Sequence, residues 1–160
     1  MRRAGHWPVP VLVLALGACA EPAPAPDAST GPDLVNARAT LDAWVELWGT
    51  YDLAELPSLF LDGGSLTYFS SETEGVIRGM ESLRTHHQGF GFADGGVQTE
   101  SRLWLEGLEL EPAGTAVSAT AVWFFQSSPE TDEIGRGPVT FVLVPSGGGY
   151  KIQHAHFANY

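Results

Sequence analysis

The chain has 160 residues, enough for one domain with a substantial core, and 19 acidic against 8 basic residues give a formal net charge of −11. The few Arg and Lys residues are scattered, and this argues against nucleic acid as a partner, because the phosphate backbone needs clustered cations. The acidity also disfavours electrostatic adsorption to anionic lipid. The single cysteine, Cys19, leaves no possibility of an intrachain disulfide.

The first 18 residues have the pattern of a secretory signal peptide. Arg2 and Arg3 precede an apolar run over residues 7–18, which at about 12 residues is too short to cross a membrane as a helix, since that takes roughly 20. The run ends in the sequence LGAC (16–19), which resembles the processing site of bacterial lipoproteins. By that resemblance Cys19 becomes the lipidated first residue of the mature chain. The alternative is an ordinary cleaved signal with an incidental cysteine.

Residues 19–32 are predicted to form a tether behind the lipid anchor. Proline alternates with small residues after Glu21, which is typical of an extended polyproline-like segment with a reach of roughly 40 Å at ~3.1 Å per residue. Ala20, rather than an Asp, follows the cysteine, and by resemblance to such lipoproteins this favours the outer membrane. We therefore expect residues 33–160 to form a domain held at the bacterial cell envelope, facing the periplasm or the exterior.

The domain is predicted to begin with helices. Asp33 is a suitable N-cap, and apolar residues then recur at helical spacing before Gly49, namely Leu34, Ala37, Leu41, Trp44 and Trp48. A second short helix is predicted from Asp52. Two short strands over 65–69 and 75–78 and a third helix over 80–88 follow.

The second half of the domain is predicted to be an antiparallel meander. Its strands cover residues 99–110, 116–127, 138–145 and 150–157, and the order of helices and strands favours an α+β fold. The Gly-rich loop over 90–96 lacks a phosphate-binding pattern, and its two Phe residues either cap an opening or plug the edge of the core. Strict alternation in the last strand predicts one shared face for Tyr150, Ile152, His154 and His156.

The order of these elements resembles the SnoaL-like branch of the nuclear transport factor 2-like superfamily. The resemblance covers about residues 33–160 and is carried by four segments: the first helix, the Leu-Phe-Leu-Asp of 59–62, the Gly-Met-Glu-Ser-Leu-Arg of 79–84, and the Tyr-Lys-Ile-Gln-His-Ala-His of 150–156. It implies a cone in which a curved antiparallel sheet of about six strands wraps a long N-terminal helix, with about three helices in all. An apolar pocket with a few polar groups is expected inside the cone. This fold hosts isomerases, cyclases, dehydratases and dimerising modules, so the fold does not decide the function.

The candidate site residues are the aromatic and cationic side chains expected to face that pocket. The predicted ligand-binding residues are Trp44, Trp48, Tyr68, His87, Arg102, Trp104, Trp123, Tyr150 and His154. Imidazole titrates near pH 6.5, so the acid-base candidates are His154 and His156, together with Tyr68. No Asp falls in mid-strand among apolar neighbours, which argues against the proton transfer typical of steroid isomerases. No carboxylate or cysteine joins His87, His154 and His156, so we expect no metal site and no cofactor.

Three functions remain open from the sequence. The first is a lipoprotein that binds a small apolar or carboxylate-bearing molecule, with Arg102 pairing the carboxylate. The second is an isomerase, cyclase or dehydratase that uses pocket His and Tyr residues. The third is a non-catalytic module that forms homodimers, which is favoured by a similar His-x-His strand in the association domain of calcium/calmodulin-dependent kinase.

Overall fold

The computed structural model describes residues 32–160, so the predicted signal peptide, Cys19 and nearly all of the tether lie outside the described residues. Within residues 32–160, no helix is long and apolar enough to cross a membrane. The helices of this part are α1 (Leu34–Thr50), α2 (Leu56–Leu59) and α3 (Gly79–Gly89), and a 3-10 turn (Leu53–Glu55) precedes α2. The strands are β1 (Thr67–Phe69), β2 (Ile77–Arg78), β3 (Arg102–Ala113), β4 (Ala116–Gln126), β5 (Gly135–Ser146) and β6 (Gly149–Phe157).

α1 begins and ends at well-defined caps. Asp33 Oδ1 accepts hydrogen bonds from the backbone N–H groups two and three residues later, at 3.0 and 3.1 Å, as expected of an N-cap. The helix continues past the predicted stop at Gly49 and ends where Tyr51 takes a left-handed φ of 53°. The Tyr51 ring stacks on Phe92 with 4.3 Å between centroids, and this packing offsets the cost of a left-handed residue other than glycine.

The six strands form one curved, open sheet in the order β2-β1-β6-β5-β4-β3. All neighbouring pairs are antiparallel except β1 and β6, which run parallel. The predicted α+β class with three helices and six strands is confirmed, and the sheet is mixed where a wholly antiparallel one was expected. The parallel pair arises because the chain returns to β1 only after α3 and three further strands, a crossover long enough for parallel pairing.

A bulge in β6 changes which of its side chains face α1. The pairing of β6 with β5 shifts by one residue at Gln153, which is left as an extra residue. Ile152 and Ala155 are both fully buried, which strict alternation forbids. The bulge turns His154 and His156 to the face of the sheet opposite α1. The prediction that these histidines share a face with Ile152 is therefore wrong.

The core lies between α1 and one face of the sheet, which we call the inner face. Trp44 is fully buried, and its ring centroid lies 5.2 Å from that of Phe141 on β5 and 5.6 Å from that of Phe157 on β6. Trp48, one turn later, packs against Trp44 at 6.3 Å. Burying an aromatic side chain of this size is worth about 3–5 kcal/mol, judged by the cost of truncating it. These contacts fix α1 on the inner face.

Candidate functional site

A cavity of about 190 Å³ opens at the end of the inner face beside the last turns of α1. α1 contributes Trp48, β1 contributes Tyr68, and the residue after α3 is Phe90. The loop after β1 and the strands β3, β4 and β6 supply the remaining lining residues, which are Ser70, Ser71, Glu72, Leu103, Trp123, Phe125 and Phe157. Most of the wall is therefore aromatic. Its polar groups belong to Tyr68, to the loop after β1 and to the indole N–H groups of Trp48 and Trp123, and within the described residues the Trp48 Nε1 is buried without a hydrogen-bond partner.

The period of the strands explains why these side chains converge. Trp123 and Phe125 are two residues apart on β4, and Leu103 pairs with Phe125 across the ladder, so all three point to the inner face. The Trp123 indole Nε1 donates to the carbonyl oxygen of Ala158 at 3.0 Å. This bond fixes the orientation of the indole and closes the sheet at the end of β6.

Tyr68 lies between the cavity and two histidines of α3, of which His87 is buried and His86 is half-buried. Its ring centroid is 5.5 Å from that of His86 and 5.8 Å from that of His87. Burial raises the pKa of the Tyr68 hydroxyl far above its ordinary value. The hydroxyl therefore stays protonated in any physiological buffer and can donate a hydrogen bond to a ligand.

The two histidines of α3 are neutral at neutral pH. His87 is fully buried, and its burial lowers the pKa to about 4, against the opposing effect of its hydrogen bond to Leu83 and with a further lowering by His86. The His87 Nδ1 lies 2.9 Å from the carbonyl oxygen of Leu83, which only accepts, so the proton is on Nδ1. Burial also lowers the pKa of His86, and the carboxylate of Glu72 partly opposes this. In the part of the chain that is described, Nε2 of both rings is buried without a hydrogen-bond partner.

The loop after β1 places one carboxylate at the cavity. The backbone N–H of Glu72 donates to Ser70 Oγ at 3.0 Å, and Ser71 Oγ donates to Glu72 Oε1 at 3.2 Å. Asn159 Nδ2 donates to the carbonyl oxygen of Ser71 at 3.3 Å, which ties this loop to the end of the chain. Glu74, two residues further on, is exposed and does not line the cavity. Glu72 is thus the one acidic side chain among the described lining residues.

Three of the predicted site residues line the cavity, namely Trp48, Tyr68 and Trp123. His87 lies behind the wall, 5.9 Å from the Trp48 ring and 5.8 Å from the Tyr68 ring. Trp44 is buried in the core instead of exposed to the cavity. The spacing of one helical turn in α1 identified both Trp residues as inward-facing. It could not show that one of them lines the cavity whereas the other packs in the core.

Four other predicted residues lie on the outer face of the sheet, opposite α1. Arg102 stacks over the ring of Trp104 at 5.0 Å, and Trp104 in turn stacks on Phe124. His154 Nδ1 is 2.8 Å from Thr67 Oγ1, and His156 is exposed. Placing these four residues in the pocket was therefore wrong: the bulge at Gln153 reverses β6, and the register of β3 turns Arg102 and Trp104 outward.

Tyr150 is also absent from the cavity. Its hydroxyl accepts a hydrogen bond from the backbone N–H of Asp33 at 3.1 Å, which puts it at the start of α1. Trp48 is fifteen residues further along the helix, roughly 20 Å away at about 1.5 Å per residue. Tyr150 therefore anchors the opposite end of α1.

The residues that sequence reasoning missed come mainly from loops and from strand ends. Phe90 and Phe92 were assigned one shared role, but Phe90 lines the cavity whereas Phe92 is buried against Tyr51. Phe125 follows Trp123 at the strand period, and this signal could have found it. No sequence pattern identified the loop residues Ser70, Ser71 and Glu72 as lining residues, because the course of this polar loop depends on tertiary contacts.

The three histidines considered as metal ligands are not brought together by the fold. Among residues 32–160, no three or more His, Cys, Asp and Glu side chains are placed to hold a metal ion. His87 lies in the core, whereas His154 and His156 lie on the outer face of the sheet.

Comparison with solved structures identifies the architecture. A nuclear transport factor 2-like superfamily protein from Salmonella enterica serovar Typhimurium matches with a TM-score of 0.64 and 16% identity, over 79% of this chain and 91% of that one. The chain has the nuclear transport factor 2-like fold. This fold is also called cystatin-like, as in a matching protein of unknown function from Nostoc punctiforme, with a TM-score of 0.65, 9% identity and coverage of 80% and 91%. No protein-family model and no curated protein matches the sequence.

Two further matches carry names that suggest opposite roles. A chain from Xanthomonas campestris, provisionally named a calcium/calmodulin-dependent protein kinase II association domain, has a TM-score of 0.65 and 12% identity, covering 80% of this chain and 88% of that one. A chain from Novosphingobium aromaticivorans, provisionally named a scytalone dehydratase, has a TM-score of 0.61 and 11% identity, covering 79% and 83%. At these identities the likeness establishes the fold alone.

We expect His87 to make stability depend on pH between about 6.5 and 4. The folded state keeps this imidazole neutral down to a pKa of about 4, whereas the unfolded chain protonates it near 6.5. The unfolded state therefore binds the extra proton in this window, and stability falls by about 3 kcal/mol as the pH falls through it. Urea unfolding at pH 7, 6, 5 and 4 measures the loss.

The matched variants are His87→Phe and His87→Gln, neither of which titrates. The difference in unfolding free energy between wild type and either variant should shrink by about 3 kcal/mol from pH 7 to pH 4. Two variants are used because one of them can fail to fold in an aromatic core. Parallel stability curves for wild type and a folded variant would show that His87 titrates normally.

Proposed function

We propose that residues 33–160 bind a small, largely apolar molecule in the cavity beside Trp48. The observation that carries this proposal is an open cavity of about 190 Å³ whose walls are mainly aromatic, with a hydroxyl and a carboxylate at one side. An apolar concavity with a few convergent polar groups is the usual form of a small-molecule site. Unpartnered buried polar atoms beside it, on His86 and His87, add further capacity for polar contacts.

The volume limits the ligand to about one ring. A cavity of roughly 150 Å³ holds benzene, so about 190 Å³ suits a single substituted ring or a compact branched chain. A carboxylate on the ligand gains no support from the geometry. Arg102 is on the outer face of the sheet, and the described lining residues include neither Arg nor Lys.

Filling the cavity should weaken binding. Leu103 lines the cavity and is 8% exposed, so Leu103→Trp places an indole in the space that the ligand needs. We expect one-ring probes such as phenol and toluene to bind wild type, with affinity reduced by about tenfold or more in the variant, or about 1.4 kcal/mol. Ligand-observed NMR and calorimetry measure both affinities.

The control for this experiment is Val122→Trp, which adds the same side chain to the outer face of the neighbouring strand. Val122 is half-buried and flanked on β4 by the buried residues Ala121 and Trp123, which face inward. Equal probe affinity in wild type and a folded Leu103→Trp protein would remove the cavity as the site.

We further propose that the domain is held at the cell envelope through lipidated Cys19, with the tether of 19–32 between lipid and fold. The support is the sequence alone: a basic start, a short apolar run and small residues before the cysteine. Three acyl chains, at about 0.8 kcal/mol per buried methylene, hold a protein firmly in a bilayer.

Expression in a bacterium with an outer membrane tests the anchor. Wild-type protein should incorporate labelled palmitate and sediment with the outer membrane, whereas Cys19→Ala should do neither. Mass spectrometry of the amino terminus gives the site of cleavage. An unlabelled, freely soluble wild-type chain would overturn the anchor without touching the cavity proposal.

Catalysis is the alternative function, and Tyr68 is the observation that favours it. Of the three predicted acid-base residues it alone lines the cavity, where it faces a space shared with Glu72. In this alternative the Glu72 carboxylate removes a proton next to a ligand carbonyl, the Tyr68 hydroxyl stabilises the enolate, and Glu72 returns the proton to a different carbon. The Novosphingobium aromaticivorans match carries the name of an enzyme, a dehydratase.

Isomerisation of cyclohex-3-enone to cyclohex-2-enone, followed by ultraviolet absorbance, tests this alternative. Glu72→Gln and Tyr68→Phe should each lower the rate by about 100-fold, the usual contribution of one such group. Glu74→Gln and His154→Gln are the controls, since neither residue lines the cavity. A rate in wild type no faster than in Glu72→Gln would leave binding without turnover.

Homodimerisation through the outer face is the second alternative. Half-exposed Trp104, Val122 and Phe124 lie there, and Phe69 is 37% exposed. The association-domain name of the Xanthomonas campestris match agrees with such a role. Sedimentation equilibrium of the mature chain decides this alternative, because a monomeric mass at high concentration excludes a stable dimer.

A further inference from the structure

The walls of the cavity present aromatic rings from several directions. Trp48 meets Phe90 at an interplanar angle of 58° and Phe125 at 68°, with centroids 5.6 and 5.7 Å apart. Trp123 meets Phe157 at 67° and 6.3 Å. Six of the ten lining residues are aromatic, namely Trp48, Tyr68, Phe90, Trp123, Phe125 and Phe157. These rings come from α1, β1, β4, β6 and the residue after α3, so they line the cavity from several elements of the fold.

The charge of the cavity is negative. Glu72 is its one acidic residue in the described part, and the lining residues there include no Arg or Lys. The neighbouring His86 and His87 add no positive charge at neutral pH, because burial lowers the pKa of both imidazoles. Tyr68 stays neutral because burial raises its pKa. A ligand in the cavity therefore meets mainly aromatic side chains and one carboxylate, that of the exposed residue Glu72.

We propose that the ligand of this cavity is a small, freely diffusing organic ammonium cation. This inference rests on the proposed function and names the chemical class of its ligand. The faces of Trp, Tyr and Phe attract a cation through the ring quadrupole, most strongly where water is excluded. Glu72 at the side of the cavity supplies the counter-charge. The methyl groups of an alkylated ammonium contact the same apolar surface that a neutral ligand would cover.

A pair of probes with the same shape isolates the charge. Choline and 3,3-dimethyl-1-butanol differ only in the replacement of nitrogen by carbon, so their apolar contacts are matched. We expect choline to bind the mature protein at least about tenfold more tightly than the neutral isostere, as a desolvated cation–π site implies. Calorimetry at pH 7.5 measures both dissociation constants.

Two substitutions measure separately how much the carboxylate and the aromatic rings contribute to choline binding. Glu72→Gln keeps the shape and removes the charge, and Phe90→Leu keeps an apolar side chain and removes a ring face. Each should weaken choline binding by about three- to tenfold and leave the isostere unchanged. The matched controls are Glu74→Gln on the same loop and Phe69→Leu on the outer face, which should change neither affinity.

The outcomes separate this inference from the proposed function. Equal binding of choline and the isostere, or stronger binding of the isostere, would overturn the proposal that the ligand is a cation, while the cavity would remain a binding site. Failure of choline, the isostere, phenol and toluene alike overturns both. Phosphatidylcholine vesicles at the same headgroup concentration, mixed with the Cys19→Ala variant so that no acyl chain can insert, are the third arm. Binding to the vesicles without binding to choline would replace the free solute by a lipid headgroup and overturn the proposal as stated.

Discussion

The packing of Trp44 between α1 and the sheet is the constraint on which the remaining structure depends. Its indole lies in the core against Phe141 and Phe157, and in the described part its Nε1 is buried without a partner. An unpaired buried donor costs about 1–3 kcal/mol, so the apolar contacts of the ring must outweigh that loss. Trp48 follows one turn later on the same ridge and faces the open end of the inner face. The same helix therefore fills the space over the inner face at Trp44 and leaves a cavity over that face beside Trp48.

The cavity is held open by bonds outside its walls. Arg84 donates to Asp94 at 2.7 Å and to the carbonyl oxygen of Leu53 at 2.8 Å, and Asp52 Oδ1 accepts from the backbone N–H of Gly95 at 3.0 Å. These contacts fix the loop that follows Phe90 to the end of α1. A wall that is ordered before the ligand arrives loses less entropy on binding, which raises affinity for a small molecule.

The sequence was sufficient for the elements and for the fold class, because helical spacing around Trp44 and turn signals between strands are local patterns. For the site, it was sufficient only where the helix or strand period determines which side chains point to the inner face, as at Trp48 and Trp123. It failed at β6, since the extra residue Gln153 is set by pairing with β5 and has no local signature. It also failed at Glu72, where a polar loop gains its position from contacts with Ser70 and the chain end. The face to which a strand residue points after a bulge and the position of a polar loop both depend on tertiary contacts, and local sequence patterns do not encode them.

The extra residue at Gln153 has an evolutionary consequence. A one-residue deletion there would restore strict alternation and leave the rest of the strand facing as it does now, because the residue removed is the one without a partner on β5: His154 would still face outward, and Ala155 and Phe157 inward. A change of length at this position would thus remove the local bend of β6 and leave the composition of the interior unchanged. Chains of this architecture can therefore differ by one codon at this position and still present the same side chains to the core, so that a gap in an alignment here says nothing about the interior.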